Sequence, residues 1–423
     1  MVEKHLEVLP ASAVQTVVGA DPLRWPDGSI TSASIDTSID WALSTFVTAS
    51  AEARDLFRVA AAIYLADSRV SKPAVSLHRD LHVTVHVEGS DAWSDATREL
   101  VADLAHWLTG DHWTIDVTQS ASRPTTTQIQ RLPLDRVQLL SGGLDSLCGA
   151  VIGLRDDLHV RFVGARDYSN AVRHAQNVIR EAIGARAVYS LEHVLLSTAA
   201  ERLNHGPRSR ALMYMALGVL YADSEGAGSV WVPENGFTSI NPPLDPGRGG
   251  TLTTRSTHPM TFVMVNRLVR ALDIQTMVTN PFASLTKGEL VEVASAELAS
   301  ANWFESTRSS YSCGAGKGHL YGYPNLNCGL CVACVVRRGS FIRAGITDPT
   351  RYVVDVAEEA KKAWLIRDRG ADLDSLRDVV DDGVDNELVL ANGSWPSGTD
   401  FDEVLALVVR GVEELRAVPL PSA

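Results

Sequence analysis

Two rhythms of apolar and polar positions divide the chain. Between residue 1 and about residue 130, an apolar-rich stretch from Trp41 to Ala66 reads as helical. Leu81–Val87 alternates apolar and polar side chains, as a half-buried strand does. A second helix is predicted from Ser94 to Thr109, then a short strand around Trp113–Val117. The stretch from Gln119 to Gln130 is polar, Thr-rich and holds Pro124, so it reads as a connecting arm.

From Val137 the rhythm changes, and short β-like runs alternate with helix-length amphipathic segments. Val137–Leu140, Val160–Gly164, Ser229–Pro233 and Gln275–Val278 read as strands. Asp145–Leu154, Ala171–Ile183, Arg208–Ala222 and Met260–Leu272 read as the helices between them. That alternation implies right-handed βαβ crossovers and a mainly parallel sheet. A helical tail follows from about Tyr352, and its acidic run DVVDDGVD reads as a solvated face or loop. Three regions result: an α+β accessory region over 1–130, an α/β domain over 131–348 and a helical extension over 349–423.

At 423 residues the chain exceeds one ordinary domain, and its 45% hydrophobic content supplies ample core. No uninterrupted apolar run reaches membrane-spanning length. MVEKHLEVLP lacks the apolar centre and cleavage site of a secretory leader, so a cytoplasmic location is expected. The formal net charge is −13, from 51 acidic and 38 basic residues. That balance disfavours broad nucleic-acid binding but allows a small anion held locally by backbone N–H groups.

The most informative stretch is VQLLSGGLDSLCGAV. A strand runs into Ser141, Gly142, Gly143, Leu144, Asp145 and Ser146, and then into a helix. Paired glycines let the backbone turn tightly, and the following helix start offers unpaired N–H groups to an anion. The serines add hydroxyl donors; Asp145 either caps the helix or holds a magnesium ion. The Walker pattern is absent.

Four of the five cysteines, Cys313, Cys328, Cys331 and Cys334, fall within 22 residues. Four thiolates can close a tetrahedral zinc shell with Gly329 easing the knuckle, and a filled shell has a structural role. An iron–sulfur cluster can use the same ligands. Cys148 reads as a packed thiol.

SGGLDS resembles the signature of the PP-loop ATP pyrophosphatases, which hold the pyrophosphate of ATP and form an adenylate. Taken with C-x14-C-x2-C-x2-C, it resembles QueC, the 7-cyano-7-deazaguanine synthase family. FVGARDYSNAVRHAQNVI, with Tyr168, Ala175 and Gln176, is similar to the segment after that loop; NPFASLTKGELV and CGLCVACVVRRGSF, with Arg337, match later landmarks. The likeness covers about residues 135–345. Arg208, Ser209 and Arg210 stand where the family has an Arg-Asn pair. Glu234–Gly236, TRSTHP, AAIYLADSRV and LTGDHW are more similar to the anti-phage members, QatC of the Qat system and the QueC-like protein of type IV CBASS.

The resemblance implies ATP, Mg2+ and Zn2+, with 7-carboxy-7-deazaguanine as the activated carboxylate. The amine would be ammonia, leading on to a nitrile, or in the defence relatives the N-terminus of a partner protein from the same operon. Whether the overall reaction forms AMP or ADP stays open, and a homodimer is allowed. Lys287 would neutralise charge developing on phosphate or stand as a solvated lysine. Arg208 and Arg210 would grip phosphate or carboxylate, or be surface cations. Glu234, after a strand's carboxyl end, would read the base edge or cap a loop. Arg255 and His258 are substrate-contact candidates in the TRSTHP loop. The competing readings are a nucleotide-sensing scaffold, ordinary 7-cyano-7-deazaguanine synthesis and tRNA thiolation. The last is disfavoured by the acidic charge and by the lack of a spare cysteine pair.

Overall fold

A computed structural model describes residues 3–72, 78–120, 134–154, 159–166, 170–184, 188–193, 196–197, 206–244, 254–297, 301–314, 318–391 and 393–421. Most of the connecting arm and Tyr168 lie outside them. The chain forms two compact units, each assembled from three segments. The first takes residues 1–139, 190–232 and 254–279; the second takes 140–189, 233–253 and 280–423. No helix among the described residues is long and apolar enough to cross a membrane.

In the first unit, β1 (Glu3–Pro10), β2 (Asp21–Trp25), β4 (Asp80–Val87) and β5 (His112–Gln119) form one sheet in the order β2-β1-β4-β5. Every pairing in it is parallel, with Leu6 opposite Asp21 and Val83, and Leu81 opposite Trp113. The alternating pattern brings out β4 and β5 but not β1 and β2. In β1 the pattern is blurred by a charged position that the fold buries, Glu7, whose carboxylate accepts from Thr16 and contacts His86 at 2.8 Å. A two-residue antiparallel bridge joins β3 (Ile35–Asp36) to β9 (Leu196–Ser197).

The helix expected from Trp41 begins later. Leu43 adopts a left-handed backbone before a short 3₁₀ turn, and α1 (Ala51–Arg69) starts after Ser50, whose hydroxyl accepts the Ala53 N–H. An N-cap serine supplies the acceptor that an apolar run cannot, so the apolar pattern alone overextends the helix. α2 (Asp95–Thr109) is capped in the same way by Ser94 and ends on Gly110 in the left-handed region. α5 (Arg210–Glu225) packs on α1, and α7 (Pro259–Ala271) packs on α2. β6 (Arg136–Leu139) and β11 (Met277–Thr279) flank β10 (Ser229–Trp231) in parallel, as the βαβ rhythm required.

The second unit contains α3 (Leu144–Gly153), β7 (Val160–Arg166), α4 (Asn170–Ile183), the start of β8 (Val188–His193), α6 (Gly236–Ile240), α8 (Lys287–Glu297), α9 (Ala301–Ser309) and α10 (Val332–Arg343). Its tail is helical, as expected: α11 (Val353–Val356), α12 (Glu359–Asp368), α13 (Gly370–Asp382), α14 (Asn386–Ala391) and α15 (Phe401–Arg416). The acidic run closes α13 with its carboxylates mostly in solvent and Val379 turned inward. One apolar core unites the tail with α6 and α10, through Phe237, Val335, Leu376, Leu407 and Val412.

Buried polar side chains also tie the first unit together. Arg79 is fully buried, and its guanidinium reaches Asp67 at 2.6 Å and Asp111 at 2.5 Å. Breaking such a buried pair leaves uncompensated charge, costing roughly 3–5 kcal/mol. Arg79→Ala is therefore expected to lower unfolding stability by about that amount, measured by denaturant titration. A change below 1 kcal/mol would contradict this role.

Candidate phosphate site and metal centre

Local chemistry shapes the loop after β6. The Leu140 N–H donates to the Val163 carbonyl, which ends strand-like pairing just before Ser141. Gly142 then turns at φ +87, a conformation that L side chains rarely adopt. A Cβ there would lie 3.2 Å from the Val172 carbonyl oxygen and 3.3 Å from the Ala175 methyl. The hydroxyls stay within the loop. Ser141 accepts from the Gly143 N–H at 3.3 Å, and Ser146 donates to the Gly143 carbonyl at 2.9 Å. Leu144, the first residue of α3, donates its N–H to Ser312 at 3.3 Å.

Asp145 is buried, and one of its oxygens pairs with the Lys287 ammonium. The other accepts from the Asn235 backbone N–H at 3.2 Å and from its side-chain amide at 2.7 Å. Burial opposes the charge on Asp145. The Lys287 ammonium and the hydrogen bonds overcome it and hold the carboxyl well below its usual range. Burial likewise opposes the Lys287 charge, and Asp145 and Glu234 raise it above the ordinary lysine value. Glu234 goes the other way: burial first, then the neighbouring Asp145 carboxylate, push it well above its ordinary value. Thr238 donates to Glu234 at 2.9 Å and completes the group.

Three helices meet here by their N-terminal ends. Asp145 is the second residue of α3, Asn235 caps α6, and Lys287 is the first residue of α8. Helix starts carry partial positive charge and unpaired N–H groups. With a buried ammonium among them, the arrangement suits an anion with several oxygens. Of the residues singled out in the sequence, Ser141–Ser146, Glu234 and Lys287 share this cluster. Asn235 and Ser312 were missed. The ENG tripeptide after a strand end carries the signal for Asn235, whereas nothing local marks Ser312.

Arg208, Arg210, Arg255 and His258 belong to the first unit. The Arg255 guanidinium lies 4.1 Å above the Trp107 ring, and Trp107 donates to Thr261 at 2.9 Å. Burial lowers the Arg208 guanidinium below its usual value, and the carboxylates of Asp67 and Asp111 partly offset that. Asp67 also accepts from the Ser209 hydroxyl at 2.8 Å. AAIYLADSRV, LTGDHW, the Arg208–Arg210 turn and TRSTHP thus converge. Arg210 is exposed at the start of α5, with its guanidinium 6.0 Å from the Tyr214 ring.

The cysteine cluster is built as a single-ion shell. The sulfurs of Cys313, Cys328, Cys331 and Cys334 all lie within 4.8 Å of one another. Cys328 and Cys334 are 3.8 Å apart, the edge of a tetrahedron with bonds of about 2.3 Å, as in thiolate–zinc sites. Four sulfurs this close leave no room for a cage of several irons. The Cys331 N–H points at the Cys328 sulfur at 3.3 Å, and Gly329 turns the knuckle at φ +92. The donor set fits Zn2+, which would supply structural cross-linking there. Cys148 is buried away from any such shell, and burial pushes its thiol upward.

No family model matches the chain. Among curated proteins it is similar to several 7-cyano-7-deazaguanine synthases. That of Methanocaldococcus jannaschii is 27% identical over 239 residues, 51% of this chain and 98% of the relative. That of Methanothermobacter thermautotrophicus is 32% identical over 148 residues, 34% of this chain and 54% of the relative. That of Methanococcus maripaludis is 39% identical over 75 residues, so there the chain spans only 30% of the relative's length. These weak similarities support a QueC-like family.

Metal analysis should return one zinc ion per purified chain. Cys331→Ala should abolish it, while Cys148→Ala should leave it unchanged; metal retained by Cys331→Ala would rule out the shell. His258 gives a second expectation. Its Nδ1 caps α7 by accepting the Met260 N–H at 3.2 Å, which needs a neutral ring. Burial first, then Arg255, lower it to about 4 from an ordinary 6.5. The unfolded chain therefore binds the extra proton first, and stability is lost as pH falls from about 6.5 toward about 4. Thermal melts should show this loss, of about 3 kcal/mol, and His258→Asn should reduce it.

Proposed function

We propose that the chain is an ATP-dependent enzyme that adenylates a deazaguanine carboxylate, 7-carboxy-7-deazaguanine or a close analogue, and passes the acyl group to an amine. The observation that carries this reading is the buried Asp145–Lys287 pair at the foot of the SGGLDS loop. A carboxylate oxygen attacks the α-phosphorus of ATP, the bond to the β-phosphate oxygen breaks, and pyrophosphate leaves. The amine then attacks the acyl carbon, loses a proton, and AMP departs. Loop N–H groups and the Lys287 ammonium would steady the pyrophosphate oxygens as charge moves onto them. Asn235 would keep Asp145 oriented, and Mg2+ brought in with ATP would neutralise further phosphate charge. Glu234 beside this pair would read the base edge.

A place in anti-phage defence, with the N-terminus of a partner protein as the amine, belongs to the same proposal. It is supported by the resemblance of Glu234–Gly236, TRSTHP, AAIYLADSRV and LTGDHW to the anti-phage members. Ordinary nitrile synthesis with ammonia is the alternative, and the product mass separates the two.

The test is incubation with ATP, magnesium and 7-carboxy-7-deazaguanine, with either ammonia or the protein encoded beside it. AMP is followed by chromatography and the product by mass spectrometry. AMP should form only when the carboxylate is present, and Lys287→Ala and Asp145→Ala should each lower the rate about 10²–10³-fold. Nucleotide bound without turnover would replace the enzyme with a nucleotide sensor.

A further inference from the structure

We propose that Glu414, near the end of α15, is a positioning residue for Lys287, fixing the start of α8 from the C-terminal tail. The idea rests on the proposed function only in what Lys287 is positioned for. Glu414 is 5% exposed, and its carboxylate reaches the first turn of α8 with both oxygens. One accepts from the Thr286 hydroxyl, and the other accepts from the Gly288 N–H at 3.0 Å. Lys287 sits between those two residues in sequence.

The start of α8 already has a capping box. The Thr286 N–H donates to Glu289 at 2.9 Å, and the Glu289 N–H donates back to the Thr286 hydroxyl at 3.2 Å. That box leaves the Gly288 N–H unmet, and Glu414 meets it. A carboxylate also suits the positive end of the helix. Four residues earlier on the same face of α15, Arg410 donates to Glu289 at 2.9 Å and to the Ser284 carbonyl at 3.0 Å. The two side chains therefore grip both halves of the box. The contact is close-fitting, since a Cβ on Gly288 would come within 2.5 Å of a Glu414 oxygen. Lys287 at this turn can then reach Asp145 with its backbone held.

Glu414→Gln tests the point. The amide keeps one acceptor for Thr286 but turns an N–H toward the Gly288 N–H. Val412→Ala is the control: Val412 lies in the core of the same helix and makes no polar contact to α8. Amine acylation of the full-length protein, read by peptide mass spectrometry, reports on Lys287 without needing catalysis. Glu414→Gln should raise the Lys287 labelling rate about tenfold, whereas Val412→Ala should not at a comparable loss of melting temperature. AMP formation should fall in parallel through kcat, with little change in the KM for the carboxylate. Unchanged labelling in Glu414→Gln, or an equal rise in Val412→Ala, would overturn the proposal. A wild-type protein that makes no AMP, yet shows the labelling difference, would overturn the ligase reading and leave the positioning role standing.

Discussion

The second unit is organised around one buried ion pair. Asp145 and Lys287 are 5% and 6% exposed, and neither charge would survive there alone. Each is therefore a constraint on the other, and on every element that delivers them. α3 brings Asp145, α8 brings Lys287, and Asn235 at the start of α6 satisfies the remaining carboxylate oxygen. Three helices must begin at one place for this to work. The Lys287 ammonium and the Asn235 hydrogen bonds hold Asp145 below its usual range against burial, while burial and the Asp145 charge push Glu234 beside it upward.

The four-cysteine cluster and the SGGLDS loop are tied together by hydrogen bonds. Ser312, adjacent to the ligand Cys313, accepts the Leu144 N–H, and the Tyr311 N–H donates to the Gly142 carbonyl at 2.9 Å. Arg337, one turn beyond Cys334, is fully buried and reaches Ser312, Ser310 and the Thr307 carbonyl. A closed four-thiolate shell has no open position for chemistry. With zinc bound, such a shell would hold the segment against which the loop is set.

What could be read from sequence was local. The strand–loop–helix of SGGLDS, the cysteine spacing and the alternation of β6, α5, β10, α7 and β11 all express themselves over a few adjacent residues. What could not be read depends on contacts far apart in the chain. Asn235 meets Asp145 across 90 residues, and Glu414 meets Thr286 across 128. No periodicity encodes such pairings. β1 was obscured for a related reason: Glu7 sits inside the unit with His86 and Thr16 as partners, and an isolated charge in a pattern argues against a buried strand.

The division of the chain into alternating segments bears on how it is made. The first unit needs residues up to Thr279, and the second opens at Leu140 yet draws on residues down to the tail. Neither can be cut out as one continuous piece. A ribosome delivers residues in order, so β1 to β5 wait for α5 and α7, and α3 waits longer still for α8 and α15. Early in synthesis the apolar face of α1 has its sheet but lacks α5. Each unit is therefore completed by pairings between residues far apart in the chain, the class of contact that costs the most loop-closure entropy before it forms.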